Sequence, residues 1–554
     1  MDRTDFHLSR REVMMAAAAA AAAAAVPLRP ARAAAKYRRY NAASDKGKEM
    51  LAIYAKGVEA MLETPPDHPH NWFRNAFVHM MDCPHGNWWF YVWHRGYIGY
   101  FEETIRAVTK EDSFTLPYWD WTEHPEIQLE MFEHALTPTA AAFERYTGNL
   151  ARFTEFIQPA LSKYWDGLTA DQRTQMNLRG YTEFKGLWND VVGLTKIDCV
   201  PDLVGVAGNQ AFTITGGARY LSRDNRKLDE ETAKNVDIEM IRGGLSPQEF
   251  NVTDPHTGFT DPARSFTSSK TTSHQIPPPG RQVFSTLEAF PHNKVHNYIG
   301  GVGLIDPGPY GVMANNLSPI DPIFFLHHAN MDRLWDVWTR KQLHCGWAPG
   351  PAASDSFYDE PFLFYVKGDG SYVGAATARE YFDTAKFDYD YEPGSGEEVV
   401  SRPCVVLTAE AGTPMLGSVA ANAATFAVPQ AAVRSHIAES GGQTLVAAIT
   451  LTRPNEATGS REFAVLVNAP EGVTRVSADS PNFAGTFALF GAPMPGMHAH
   501  GGMDVTFAVP LPKTLPAFTA LGAANEATLN IRVVPSDGQD QEAPVLKAVS
   551  LATR

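Results

Sequence analysis

Two stretches of the chain concentrate side chains that could bind a metal. The first reads His79-Met80-Met81-Asp82-Cys83-Pro84-His85, with His94 following it, and the second holds His292, His296 and the adjacent pair His327-His328. Imidazole suits copper, zinc, iron and nickel, and three imidazoles leave coordination positions free for a substrate. Two such trios in one domain predict a dinuclear site for small-molecule chemistry.

The spacing says which elements must carry these residues. His292 and His296 lie four apart and would share one face of a helix. His327 and His328 diverge by about 100° on a helix, so only one should face the metal. Asp332 falls on the face of His328, where it could accept the far ring N–H or anchor a neighbour. This favours His328 as ligand, with His327 behind it. Asp321-Pro322 reads as N-cap and first residue of a helix running to about Lys341. In the first stretch, the apolar run Trp72 to Met81 carries His79, and a run from Trp93 to about Thr109 carries His94. His85 would lie about 180° from His94 on a continuous helix, so either it sits in a loop or the two do not share a metal. Cys83-Pro84 and Gly86 favour the loop. His68, His70, His124, His134, His256, His274, His344 and His436 have no partner at ligand spacing. His498-Ala499-His500 reads as a solvated turn.

Three phrases carry a family resemblance: His94-Arg95-Gly96-Tyr97, Leu116-Pro-Tyr-Trp-Asp-Trp121 and Asp321-Pro-Ile-Phe-Phe-Leu-His-His328. Over roughly residues 36 to 395 the chain resembles the type-3 copper proteins: tyrosinases, catechol oxidases and haemocyanins. The resemblance implies two copper ions, one held by His79, His85 and His94, the other by His292, His296 and His328. It implies a thioether between Cys83 and the ring of His85. Glu288 resembles the family's water-holding glutamate and Asn293 the asparagine that fixes that water, a pair able to act as base toward a phenol. Tyr389-Asp390-Tyr391 resembles the motif that closes the catalytic domain, packed on Arg38 or Arg39.

Composition excludes other classes. A net charge of −15 argues against nucleic acid or an anionic membrane surface as partner. The 39 prolines and 43 glycines fit long loops between packed elements. The four cysteines, Cys83, Cys199, Cys345 and Cys404, suggest no disulfide framework. Ser9-Arg10-Arg11-Glu12-Val13-Met14-Met15 matches a twin-arginine export signal, followed by an alanine run too short for a permanent membrane span. Cleavage after Ala31-Arg32-Ala33 or Ala33-Ala34-Ala35 would give a periplasmic or secreted protein. Oligomeric state is left open.

The expected architecture is therefore a signal over 1–35, then a mainly α catalytic domain over 36–391, a helical bundle holding the copper site. An insertion over about 125–245 includes a helix Ala141–Tyr164. A Gly/Ser/Glu linker spans 392–402. Over 403–554 the period changes to two, in runs such as Thr444–Thr450, Phe463–Val467 and Asp504–Val509, predicting an all-β sandwich of seven or eight strands. That domain resembles the C-terminal domain of plant polyphenol oxidases, which covers the copper site and keeps the enzyme latent. The loop from Phe487 to His500 is the expected plug, though no single residue in it stands out.

The implied reaction is ortho-hydroxylation of monophenols and oxidation of o-diphenols to o-quinones with O2, that of a tyrosinase. A catechol oxidase limited to diphenols and a haemocyanin-like O2 carrier are the alternatives.

Overall fold

The computed structural model describes residues 35–192, 219–301, 311–404, 414–438, 443–453, 462–473, 480–490, 503–513, 516, 518, 521, 527–536 and 543–554. The signal segment, Cys199, His498 and His500 lie outside the described residues. Among the described residues, no helix is long and apolar enough to cross a membrane.

The first half is helical. Helix α1 (Asp45–Glu63) starts at Ser44, whose side chain accepts from Gly47 N. Helix α2 (Trp72–Asp82) starts at Asn71, which accepts from the backbone of Phe73 and Arg74. Every residue of α2 is buried, so the helix runs through the centre of the bundle. Helix α3 (Phe90–Thr109), helix α4 (Asn293–Gly300) and helix α5 (Ile323–His344) surround it. Asp321 caps α5 by accepting from Ile323 N at 3.0 Å. Phe101 of α3 stacks on Phe325 of α5 at 3.5 Å, and Trp72 meets Phe101 edge-on. Such ring pairs add about 0.5–1.5 kcal/mol each beyond the area they bury.

The helix expected over Ala141–Tyr164 is two, Ala141–Thr147 and Leu150–Asp166. Gly148 ends the first, and the Asn149 side chain caps the second by accepting from Arg152 N at 2.9 Å.

This half contributes strands β1 (Tyr37–Arg39), β2 (Arg281–Phe284) and β3 (Tyr389–Tyr391), besides a short Pro361–Phe362/Ala376–Thr377 ladder. Strands β1 and β3 pair in parallel and close the bundle. Arg39, rather than Arg38, does the closing: its guanidinium lies 3.7 Å over Tyr389 and donates to Glu102 at 2.9 Å and Asp332 at 3.2 Å. Arg38 forms an exposed pair with Asp390 instead. Asp332 also takes Arg95 Nε at 2.7 Å and the hydroxyls of Tyr389 and Tyr391, so it anchors neighbours and no imidazole. Removing one partner from so buried a cluster costs about 3–5 kcal/mol.

The second half is a sandwich of two five-stranded sheets. Its own strands are β4 (Met415–Leu416), β5 (Ser418–Ala420), β6 (Ala423–Val428), β7 (Leu445–Thr452), β8 (Glu462–Val467), β9 (Phe483–Ala488), β10 (Asp504–Pro510), β11 (Ala527–Pro535) and β12 (Leu546–Thr553). One sheet runs β9-β8-β11-β6-β5, the other β2-β10-β7-β12-β4. The edge strand β2 comes from the helical half and pairs in parallel with β10, Val283 opposite Thr506. Sheet continuity therefore crosses the expected domain boundary. An otherwise open strand edge is covered where the two halves meet.

Two expectations are corrected here. Cys345, at the end of α5, and Cys404 form a disulfide across 59 residues of sequence. No spacing motif announces a pair so far apart; the chain brings it together by folding 392–402 back along α5. That stretch is also not a free linker. Ser395 N donates to Asp120 at 2.7 Å, both terminal nitrogens of Arg333 donate to Ser395 O at 3.0 Å, and Arg242 pairs with Glu398 at 2.6 Å.

Candidate metal centre

Each trio is delivered by buried, regular backbone. His79 lies in the last turn of α2 and His94 in the first turns of α3. Between them Cys83 ends α2 and His85 occupies a loop with Gly86 at φ +63°. The loop is what lets His85 and His94 converge, since the rings stand 5.8 Å apart. His292 closes a π-turn (Glu288–His292) containing Pro291, and α4 continues from it with His296 one turn on. Both His327 and His328 lie on α5.

Ring nitrogens from His79, His85 and His94, with the Cys83 sulfur, lie within 4.8 Å of one another, as do those from His292, His296, His327 and His328. The two groups share an interior: His94 and His328 stack at 4.1 Å with 13° between planes, and His85 and His292 are 5.8 Å apart.

Hydrogen bonding decides which nitrogen each ring offers. The Nδ1–H groups of His79, His94 and His296 donate to the carbonyls of Asn316, Phe90 and Met313, each at 2.7 Å. His292 Nδ1 donates to Asn293 Oδ1 at 2.8 Å. With Nδ1 so occupied, Nε2 carries the lone pair, and those of His79 and His292 are buried without a partner. Burial pulls the ring pKa of His79 and of His292 down to about 3, and burial beside other imidazoles lowers His85, His94, His296 and His328 strongly. All are neutral near pH 7, as metal ligation requires.

His327 was expected to diverge from the site, yet it lies inside the second group, 4.6 Å from His296 and 4.8 Å from Trp121. His328 alone of the pair also faces the first trio, and its Nε2 stands 3.1 Å from that of His296.

Cys83 is a buried free thiol in contact with His85, its sulfur 3.5 Å and 3.6 Å from the ring nitrogens and 3.3 Å from His94 Nε2. The sulfur thus lies against the ring to which the resemblance implies a thioether, a C–S bond whose formation requires a two-electron oxidation. Burial pushes the thiol pKa well up.

Glu288 is buried and accepts from Gly86 N at 2.6 Å and from the Ser268 hydroxyl. Burial raises its pKa to about 7, with those two donors opposing. Asn293 holds His292 with its oxygen and donates its amide to Ala488 O at 2.7 Å. The hydrogen bonds of Glu288 and Asn293 thus go to different partners.

Sequence reasoning missed three parts of the site. Phe490, just beyond β9, sets its ring 4.4 Å from His296 and 4.9 Å from His85, so among the described residues of the Phe487–His500 stretch it caps the cluster. His274, which has no partner at ligand spacing in the sequence, bridges Asp82 at 3.0 Å and Glu360 at 2.5 Å. Burial opposes its charge, but the two carboxylates raise its pKa above the usual imidazole value. Asp82 in turn accepts from Trp93 Nε1 at 2.7 Å, tying the end of α2 to α3. Arg179 donates to Cys83 O at 2.6 Å and Met80 O at 3.1 Å, fixing the turn before His85. A signal was present only for Phe490, as one aromatic residue in a flagged stretch.

Comparison with known proteins agrees with this geometry. The family description "Common central domain of tyrosinase" matches residues 60–341. Tyrosinase HcTyr2 of Hahella sp. (strain CCB-MM4) is 25% identical over 312 residues, 52% of this chain and 50% of that protein. Aureusidin synthase of Antirrhinum majus is 25% identical over 370 residues, 62% of this chain and 49% of that protein. The chain spans about half the length of the curated relatives it matches. A solved latent aurone synthase (polyphenol oxidase) superposes with TM-score 0.53 at 16% identity, covering 94% of this chain and 90% of that one, which supports the fold. With the family's central domain spanning both histidine trios, the chain belongs to the tyrosinase and polyphenol oxidase family of type-3 copper proteins.

Proposed function

We propose that this protein is a tyrosinase: it hydroxylates monophenols and oxidises o-diphenols to o-quinones with O2 at a dinuclear copper centre. The observation that carries this reading is the set of neutral rings whose Nδ1 atoms are tied to carbonyls, leaving Nε2 to converge on one interior. An all-imidazole donor set suits copper, and His79, His85, His94, His292, His296 and His328 would hold the pair. Two coppers together supply the two electrons that O2 reduction needs.

The remaining work falls to this chain's own residues. Glu288, with its pKa near 7, is poised to take the phenol's proton once a water or substrate reaches it. Asn293 orients His292. Phe490, packed on His296 and His85, would exclude bulky phenols while the sandwich is docked and so keep the enzyme latent. The Arg10-Arg11 segment supports export by the twin-arginine route.

A catechol oxidase is the second reading, favoured by one observation: the Asn293 amide is committed to Ala488 rather than to Glu288. Oxygen uptake by the copper-loaded protein tests both. Consumption with tyrosine and with catechol supports the tyrosinase; consumption with catechol alone supports the second reading. Neither substrate being consumed, even after mild protease or detergent, would leave an O2 carrier.

A further inference from the structure

Helix α2 carries a charge that the histidine cluster does not use. Arg74, five residues before His79, is only 5% exposed. Among the described residues it has no ion-pair partner. Its Nη1 donates to Ala160 O at 3.0 Å, its Nη2 makes only a 3.4 Å contact with the Tyr372 hydroxyl, and its Nε is buried without a partner. The Tyr164 ring covers one face of the guanidinium at 4.0 Å, and the Tyr164 hydroxyl is likewise buried and unpartnered. One edge of a rigid donor fork is therefore unsatisfied, a costly arrangement for a buried cation.

Arg74 lines a cavity of about 470 Å³ together with Tyr164, Tyr372, Leu363 and Gln172, its Nε itself being buried. The volume falls within the range of small-molecule sites, about 300–1,000 Å³. Tyr164 and Tyr372 stack 5.7 Å apart at 25°, presenting an aromatic wall. Asp67 and Lys163, both exposed, pair at 3.4 Å at the rim, and Asp171 lies beside them. Tyr372 is 40% exposed, so its ring can move aside at little cost.

We propose that this cavity binds an aromatic carboxylate, its carboxylate on the Nε–Nη2 edge of Arg74 and its ring against Tyr164 and Tyr372. A carboxylate matches the planar fork of arginine in two parallel hydrogen bonds, which a neutral alcohol cannot form. The flat wall selects a ring over an aliphatic acid. Burial lowers the Arg74 pKa, with Tyr372, Tyr164 and the exposed Asp67 only partly opposing, and a bound anion would offset that penalty. The site is separate from the copper ligands and independent of which phenols they oxidise.

The test is fluorine NMR titration of the copper-loaded full chain with 4-fluorobenzoate and, separately, 4-fluorobenzyl alcohol. The expected result is a Kd for the benzoate below about 1 mM, at least tenfold tighter than for the alcohol. Arg74→Gln and Tyr372→Ala should each weaken the benzoate about tenfold or more. Because Tyr372 is exposed, its variant reports even if Arg74→Gln folds poorly. Equal affinity for the two probes, or unchanged benzoate affinity in Tyr372→Ala and in a folded Arg74→Gln, would overturn the proposal. Full displacement of the benzoate by equimolar inorganic phosphate would also overturn it, since the site would then read charge alone.

Discussion

The side-chain amide of Asn293 donates to the backbone carbonyl of Ala488 at 2.7 Å, joining the helix that follows His292 and bears His296 to the sandwich that covers it. Asn297 repeats the contact one turn on, to Leu489 O at 3.1 Å. Between them Lys294 makes a buried ion pair with Glu462. Asn293, which orients His292, thus also holds the cover, so one short helix carries both a histidine of the cluster and the contacts to the sandwich.

Phe490→Ala should open the site without removing the sandwich. Diphenol oxidation by the intact chain should rise about tenfold or more, mainly through a lower KM. Steady-state kinetics with small and bulky catechols check this. An unchanged KM for both would mean that Phe490 packs against the cluster without guarding it.

Asn293→Ala should lower monophenol hydroxylation far more than diphenol oxidation, because a catechol already carries both oxygens and is more acidic. General-base contributions are about 10²–10⁴-fold, so even partial loss should show in the activity ratio. Equal loss of both activities would restrict Asn293 to holding His292 or the cover.

Cutting the chain within 394–398 should not release the sandwich. Cys404 stays bonded to Cys345, and β2 stays in the sheet beside β10. Nicked protein should run at full length on a non-reducing gel and remain latent until the disulfide is reduced. Activation by nicking alone, with the disulfide intact, would show that these tethers do not hold the cover.

Glu288→Gln should stabilise the metal-free protein above neutral pH. Burial raises the folded pKa from 4.5 to about 7, so the folded state binds more protons than the unfolded one between those values. Stability then falls as pH rises through that window, and the penalty is complete above about pH 7. At about 1.4 kcal/mol per unit the effect is on the order of 3 kcal/mol at pH 8 and vanishes below pH 4.5. Denaturant unfolding at pH 5 and pH 8 measures it. Equal stability of variant and wild type at pH 8 would mean that Glu288 is better solvated than its burial implies.

Much of the centre was legible because its information is local. The four-residue step from His292 to His296, the Asp321-Pro322 cap and the helix break at Cys83-Pro84 are short-range signals of backbone geometry. The missed features are pairings across long stretches of sequence. Cys345 with Cys404, β2 with β10, Asp82 with His274, and Phe490 with His296 have no spacing rule, since tertiary packing alone sets them. The linker was misread for a related reason. Gly394, Ser395 and Gly396 look like a spacer by composition, yet their small size lets the chain press onto Asp120 and Arg333. His327 shows the limit of helical-wheel reasoning: a 100° separation still allows two large rings to reach one cavity.

The central claim, that two three-histidine sets each hold one copper and both are needed, is tested most directly by copper content. Measured by elemental analysis on folded protein, wild type should hold two coppers per chain, while His94→Ala and His296→Ala should each hold one and consume no O2 with catechol. Two coppers retained in either variant, or catechol oxidation with only one, would contradict it.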